Sequence, residues 1–331
     1  MKRLLAGLLL LAGCAAPPNT NKVRIATAGT GLQTYSMPIT LAETLGFYKE
    51  EGIDVVLENL PTTVKALQAL LGGTADVAGS IYQQTLQMVA EGQRLRAFFI
   101  MNHKDSKVLI VARGARERIR RLEDLKGALV GVSAPGTTTH LWMSNYLATR
   151  GLPASSYSLV SIGTSAQAIA ALEAGRIHAA GLAGGDHFRL LHRHPGLLIL
   201  ADTSTAAGMR ESYGSNGFAG GTLSASQDWL TANPDTARRL TRALLRTHQW
   251  IASHSPEEIL AKLPPNLHST DPGSDVQILS WSRDAYTPDG VLPPGAHQAM
   301  QQIIDATLPN VHAARIDQSS VWTGEYLPNT K

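Results

Sequence analysis

Three consecutive threonines at positions 137–139 place hydroxyl groups directly after the small-residue loop 133–136, Ser-Ala-Pro-Gly. The apolar run 128–132 before the loop is typical of a buried parallel strand, and Pro135-Gly136 ends it. Thr137 is then the expected N-cap of a following helix. Unpaired backbone N–H groups and the positive end of the helix dipole suit an anionic or strongly polar ligand. Gly136, Thr137, Thr138 and Thr139 are therefore candidate ligand-binding residues, and an ordinary turn between strand and helix is the alternative.

Other reactive side chains give weaker patterns. His187, His192 and His194 suggest zinc, but no acidic partner lies at ligand spacing, so we predict no metal site. Asp186 and His187 fit no serine-hydrolase triad, because the chain lacks a nucleophile-elbow motif. Cys14 is the single cysteine in 331 residues. The folded part of the chain is therefore expected to have neither a disulfide nor a thiol nucleophile, and no cofactor is predicted.

The first 14 residues have the pattern of an export signal. A basic start, Met1-Lys2-Arg3, precedes an apolar run at 4–11 that is too short to span a bilayer. The run ends in Leu-Ala-Gly-Cys, which resembles the lipobox of bacterial lipoprotein signal peptides. This resemblance implies cleavage before Cys14, a lipid on that cysteine, and a flexible tether up to residue 20. A plain secretory signal with an incidental cysteine is the alternative.

The composition favours an exported globular protein over a nucleic-acid-binding one. The formal charge is +3, and without Lys2 and Arg3 it becomes +1, since 27 basic residues then face 26 acidic ones. Such a balance argues against nucleic acid as a partner. The length suggests two domains, and 44% apolar residues are enough for two cores.

The elements around the threonines alternate between strands and helices. Strands are expected at 22–28, 53–57 and 74–80, with helices between them, which makes the β-α-β-α-β start of a doubly wound sheet. A second set follows, with strands at 128–132, 158–162, 177–182 and 197–202. Ligands of such sheets lie at the carboxyl ends of the strands. The rest of the chain, from 228 onwards, is expected to be helical.

Four sequence blocks resemble the SsuA/THI5-like (NMT1) family of substrate-binding proteins of ABC importers. The first is Leu-Ala-Glu-Thr-Leu-Gly-Phe-Tyr-Lys-Glu-Glu-Gly-Ile-Asp-Val at 41–55, and the second is Ala-Leu-Gln-Ala-Leu-Leu-Gly-Gly-Thr-Ala-Asp-Val-Ala at 66–78. The third spans 122–137, and the fourth is Ala-Leu-Glu-Ala-Gly-Arg-Ile-His-Ala-Ala at 171–180. Each block is weak alone, but all four occur in the expected order.

The resemblance implies a type II periplasmic-binding-protein fold, an α/β fold in which two lobes are joined by two crossing strands. The expected lobes are 21–110 with 218–331, and 111–217. The first crossing is expected at 108–113 and the return at 216–223, where glycines suit a hinge. We expect a monomer that carries a small molecule to an ABC permease. The candidate ligand-binding residues from the first lobe are Tyr35, Ser80, Tyr82 and Asn102, and those from the second are Gly136, Thr137, Thr138, Thr139, Asp186 and Asn216.

The ligand class stays open at this point. The threonine-rich helix start favours a small organic anion such as a sulfonate or carboxylate, whereas the lack of an arginine clamp and the charge of Asp186 oppose one. A pyrimidine ring related to thiamine precursors is the alternative. A THI5-like enzyme and a sensor that presents its ligand to a receptor are the alternatives from other functional classes.

Overall fold

Two five-stranded mixed sheets form the framework of the computed structural model, which describes residues 22–28, 32–163, 166–215, 217–269 and 271–328. The first sheet contains β1 (Lys22–Ala28), β2 (Asp54–Leu60), β3 (Val77–Ile81), β4 (Leu95–Ile100) and β10 (Gly221–Ser226), in the order β2-β1-β3-β10-β4. The second contains β5 (Val108–Val111), β6 (Leu129–Val132), β7 (Ser158–Ser161), β8 (Ala179–Leu182) and β9 (Ile199–Asp202), in the order β7-β6-β8-β5-β9. The predicted α/β fold of two doubly wound lobes is confirmed.

Helices cover both sheets. Those of the first chain segment are α1 (Met37–Thr44), α2 (Phe47–Glu50), α3 (Thr63–Leu71) and α4 (Tyr82–Ala90). Those of the second lobe are α5 (Thr138–Ala148), α6 (Ala166–Glu173), α7 (Asp186–Arg193) and α8 (Ala206–Tyr213). The C-terminal part contributes α9 (Gln227–Ala232), α10 (Pro234–Ser253), α11 (Pro256–Lys262), α12 (Pro272–Arg283), α13 (Ala296–Thr307) and α14 (Gln318–Val321). Single 3₁₀ turns lie at Arg113–Ala115, Leu122–Leu125, Ala154–Ser156, Pro265–Leu267 and Ala313–Arg315.

The chain crosses between the lobes at 101–107, before the place that the sequence indicated. The run Val108–Val111 is fully buried and pairs antiparallel with β8 and β9, so it is an inner strand of the second sheet. Such a short, wholly apolar run is typical of a strand that is covered on both faces. The return follows Tyr213 and reaches β10, which lies antiparallel between β3 and β4.

The C-terminal helices join the two lobes. Helix α13 contacts α4 of the first lobe and α5 of the second, and α12 packs against α7. One apolar core extends from the second sheet to α13, and a separate core lies between the first sheet and α10. The part of the chain that the structure describes has no helix with the length and apolar character needed to cross a bilayer.

Candidate functional site

A cavity of about 220 Å³ lies between the lobes, at the carboxyl ends of strands from both sheets. The first lobe contributes Gln33, Thr34, Tyr35, Pro61, Thr62, Thr63, Ile81 and Gln84. The second contributes Ser133, Thr137, Thr138, Thr139, Gly163, Gly181, Leu182, Ala183 and Gly184. The crossing segments add Asn102, Lys104, Asp105, Ser106, Lys107, Phe218, Gly220 and Gly221. This position is the one at which open α/β sheets bind their ligands.

Helix α5 begins at this cavity, as the sequence predicted. Thr137 is its N-cap: its hydroxyl accepts from the His140 N–H (3.4 Å) and donates to the Ala134 carbonyl (2.8 Å). The Thr137 hydroxyl is therefore used in forming the helix start. Thr138 and the buried Thr139 line the cavity, and their hydroxyls have no partner within the described residues. The anion-binding potential of this turn rests on those two residues and the backbone N–H groups of the first turn.

A second helix start lies opposite, in the first lobe. Thr62 caps α3 by accepting from the Lys65 N–H (3.2 Å), and Thr63 follows it into the cavity lining. Two helix N-termini from different lobes thus contribute to one cavity, and their partial positive charges add. This second helix start is not among the sites predicted from the sequence. The signal was present, because Pro61-Thr62-Thr63 follows a strand in the same way as the threonines after Pro135.

Lysine and aspartate side chains in the first crossing segment set the charge of the cavity. Asp105 and Lys107 are buried and paired, with the Lys107 ammonium 2.8 and 2.9 Å from the two carboxylate oxygens. The Tyr213 hydroxyl also donates to Asp105, and burial followed by the charge of Asp105 raises the pKa of that phenol. Lys104 lines the same cavity and forms no ion pair within the described residues. Since Lys107 neutralises Asp105, Lys104 gives these side chains of the cavity lining a net positive charge.

The amide of Asn102 joins the two crossing segments. Its Nδ2 donates to the Lys104 carbonyl (2.8 Å), and its Oδ1 accepts from the Gly221 N–H (2.7 Å). The Gly220 N–H also donates to the Asn102 carbonyl (3.0 Å). Asn102, a predicted ligand-binding residue, lines the cavity, but both ends of its amide are engaged in this connection. Its role in this structure is to connect the two crossing segments where they line the cavity.

Three predicted site residues occupy other positions. Ser80 is fully buried and bonds to the hydroxyls of Thr85 (3.2 Å) and Ser224 (3.3 Å). Tyr82 begins α4, and its buried hydroxyl pairs with Nδ1 of His297 (2.7 Å). Strand β3 thus ends with Ile81 at the cavity, and its two neighbours face the interior. Gly136 is exposed outside the lining, with a left-handed φ of 79°, and its N–H donates to Nδ1 of His140 (2.9 Å).

Tyr35 lines the cavity, and its predicted contact with the ligand stays a prediction. Asp186 begins α7 beside the lining residue Gly184, but its side chain lies outside the described residues, as do Asn216 and residues 1–21 with Cys14. The predicted roles of Asp186, Asn216 and Cys14 stay predictions.

The three histidines that raised the zinc hypothesis have separate surroundings. His187 is buried, and burial lowers its pKa to about 4. His192 lies 3.9 Å from Asp271, and His194 contacts Glu173 at 2.7 Å. Nowhere in the described ranges do three or more His, Cys, Asp or Glu side chains form a group that could hold a metal ion.

Two α/β lobes with a polar cleft at the carboxyl ends of both sheets define a periplasmic-binding-protein fold. The chain belongs to the NMT1/THI5 like family, whose model matches residues 33–259. This finding confirms the resemblance seen in the four sequence blocks.

Three individual proteins illustrate the relationship. A solved structure from Bordetella bronchiseptica RB50 is 33% identical, with a TM-score of 0.82 over 93% of this chain and 96% of that one. The aliphatic sulphonate binding protein SsuA of Escherichia coli has a TM-score of 0.71 over 92% and 99% of the two chains, at 18% identity. YtlA of Bacillus subtilis strain 168, whose name describes it provisionally as a binding protein, is 24% identical over 89% of this chain and 86% of its own.

Proposed function

We propose that this protein is a solute-binding lipoprotein that closes its lobes over a small organic anion and delivers it to an ABC importer. The observation that carries the proposal is the convergence of the α3 and α5 N-termini, one from each lobe, on a cavity that also contains Lys104. Each helix start contributes about 0.3–1 kcal/mol toward an anion, and up to about 2 kcal/mol when partly buried. A ligand that contacts both helix N-termini stabilises the closed arrangement of the lobes.

A sulfonate or carboxylate suits the donors of this cavity. Backbone N–H groups, the hydroxyls of Thr138 and Thr139, and the Lys104 ammonium donate to oxygen atoms, and no arginine side chain is needed. The pairing of Asp105 with Lys107 removes one source of repulsion. The volume of about 220 Å³ suits a small molecule. The sulphonate-binding activity named for the E. coli neighbour supports this class of ligand.

A pyrimidine-like ring is the second candidate, favoured by the aromatic residues Tyr35 and Phe218 in the cavity lining. Phe218 already packs against the Lys107 ammonium, which lies 4.9 Å from its ring centroid. A THI5-like enzyme remains the alternative from another class, because the family description includes THI5. A sensor that presents its bound ligand to a receptor is a further alternative.

Export, anchoring and oligomeric state form part of the same proposal. The basic and apolar start of the chain and the lipobox-like Leu-Ala-Gly-Cys motif support cleavage before Cys14 and a lipid anchor on it. A tether up to residue 20 then leaves the two lobes in the periplasm or at the cell surface, as a monomer that a permease can contact.

The test is a thermal-shift screen of the purified protein against sulfonates, carboxylates, nitrate, pyrimidines and amines. A ligand that binds only the folded state raises the midpoint according to RT ln(1 + [L]/Kd). We expect the thermal midpoint to rise with one class of organic anion. We also expect the compound to be unchanged after incubation with the protein, as measured by mass spectrometry. A rise with pyrimidines alone supports the ring alternative. Conversion of the compound, or no rise with any class, contradicts the proposed transport function.

A further inference from the structure

A second cavity, of about 200 Å³, lies at the end of the second lobe away from the cleft. Strands β6 and β8 direct their carboxyl ends to the cleft, and β5 runs antiparallel to β8. Val111 at the end of β5 and Leu198 before β9 therefore lie at the far end of the sheet, where the Val111 N–H donates to the Leu198 carbonyl (2.9 Å). This second cavity, called here the distal pocket, is separate from the ligand cleft.

The side chains of the distal pocket are basic. It is lined by Val111, Arg113, Arg116, Arg193, His194, Pro195, Gly196, Leu197 and Leu198, so three arginines and, among the residues that the structure describes, no carboxylate face it. Arg116 is held by a hydrogen bond from Nη1 to the Gly196 carbonyl (3.2 Å). Arg113 is exposed and forms no ion pair within the described residues.

One carboxylate beside the pocket offsets part of this charge. Glu173 lies 3.9 Å from Arg193 and 2.7 Å from Nε2 of His194. Glu173 is outside the lining, so the guanidinium groups of Arg113 and Arg116 keep their charge toward the pocket.

The surrounding surface strengthens the positive potential. The segment 113–126 leads from the end of β5 toward the start of β6 at this same end of the lobe. It carries six basic residues and three acidic ones. Arg121 forms ion pairs with Glu123 and Asp124. Arg118 and Lys126 are exposed and have no ion pair within the described part of the chain. A concave site surrounded by charge of one sign concentrates ions of the opposite sign.

We propose that the distal pocket binds a phosphate-type oxyanion, either as free phosphate or as the headgroup of an anionic lipid. Guanidinium groups match the oxygen geometry of phosphate and form paired, charge-assisted hydrogen bonds with it. Arg113 and Arg116 supply such groups from the 3₁₀ turn after β5 and its C-cap. The proposal is independent of the ligand that the cleft takes.

The test uses the full chain with Cys14→Ser, which excludes acylation at the predicted lipid site, and titrates it with inorganic phosphate by isothermal titration calorimetry. Arg113→Gln is the pocket variant. Arg118→Gln is the matched control, since it removes the same charge from the same surface outside the pocket lining. Lys104→Gln tests for phosphate bound in the cleft. Thermal midpoints of all variants check that each is folded.

We expect Arg113→Gln to weaken phosphate binding about tenfold, whereas Arg118→Gln changes it less than about twofold. A loss of phosphate binding in Lys104→Gln but not in Arg113→Gln places the phosphate in the cleft and overturns the proposal. Co-sedimentation with phosphatidylglycerol and phosphatidylcholine vesicles then separates the two sources. Binding to phosphatidylglycerol that Arg113→Gln removes identifies a lipid headgroup. If Arg113→Gln and Arg118→Gln weaken phosphate binding equally, the effect is one of general surface charge, and the proposed binding site in the pocket is wrong. The absence of binding to both phosphate and vesicles also overturns it.

Discussion

Arg189 of α7 and Asp275 of α12 form an ion pair that joins the second lobe to the C-terminal helices of the first. Nη2 of Arg189 lies 3.5 Å from Oδ1 of Asp275, and the side chains are 9% and 1% exposed. Phe188 packs beside the pair, with its ring centroid 5.6 Å from that of Trp281. Helix α7 begins next to Gly184 of the cavity lining, so this ion pair connects the cleft wall to the other lobe.

Removal of one partner should destabilise the protein strongly. Asp275→Asn removes one charge from a pair whose side chains are 9% and 1% exposed, and we expect the free energy of unfolding in urea to fall by about 3 kcal/mol. The matched control is Asp235→Asn, whose partner Arg238 forms an exposed pair with side chains 42% and 84% exposed. That change should cost less than about 1 kcal/mol. Similar small losses in both variants contradict a structural role for the buried pair.

Lys104 is expected to determine the affinity of the cleft for anions. Lys104→Gln removes the ammonium that lines the cavity without an ion pair in the described residues, and should weaken the binding of an anionic ligand about tenfold. Lys262→Gln, at the exposed end of α11, makes the same change in net charge and should leave affinity unchanged. Calorimetric titration with the anion found in the screen measures both. Unchanged affinity in Lys104→Gln argues that the ligand does not contact this side chain.

Acid should destabilise the fold through a buried histidine. Burial lowers the pKa of His187 to about 4, and the nearby carboxylates of Asp202 and Asp105 offset this only in part. The unfolded chain takes up a proton near pH 6.5 while the folded chain does not, so stability is present above pH 6.5 and falls as the pH decreases toward 4.

The expected loss from His187 is about 3 kcal/mol across this window. Urea unfolding at pH 7 and pH 4 should show a smaller loss in His187→Gln than in the unmodified protein. His312→Gln, at an exposed position, should leave the loss unchanged. An identical pH dependence in all three proteins excludes His187 as the source.

Gly221 at the start of β10 has no room for a side chain. A Cβ there would lie 2.5 Å from the carbonyl oxygen and 2.6 Å from the Cα of Tyr35, so Gly221→Ala must move backbone that lines the cavity. We expect a loss of about 1–3 kcal/mol in stability and weaker ligand binding. Gly114→Ala meets no atom within 4 Å and should change neither property by a measurable amount. Full affinity in Gly221→Ala contradicts a role for this close approach.

Local patterns predicted most of the fold and part of the site. The strand that ends before Ser133, the cap at Thr137 and the four family blocks give the lobes and the start of α5. The sequence did not show which end-of-strand residues face the cleft, because side chains alternate and one step in register exchanges the two faces. Ser80 and Tyr82 were assigned to the wrong side for this reason.

Long-range contacts could not be predicted from one sequence. Asp105 and Tyr213 are 108 residues apart, yet their bond helps to set the charge of the cavity. Arg189 and Asp275 are similarly distant in the chain. No local motif relates such residues, since the topology of both lobes brings them together.

The position of β10 inside the first sheet, between β3 and β4, determines when that sheet can be completed. Strands β3 and β4 have no direct pairing with each other, and the strand between them comes from residues 221–226. A chain made from its N-terminus therefore contains β1 to β4 long before it contains their missing neighbour. Pairings of this kind form late and slowly, because a loop of more than 100 residues must close first. Such a delay leaves the first sheet open between β3 and β4 until residues 221–226 have been made, whereas the second sheet is complete in sequence at residue 202.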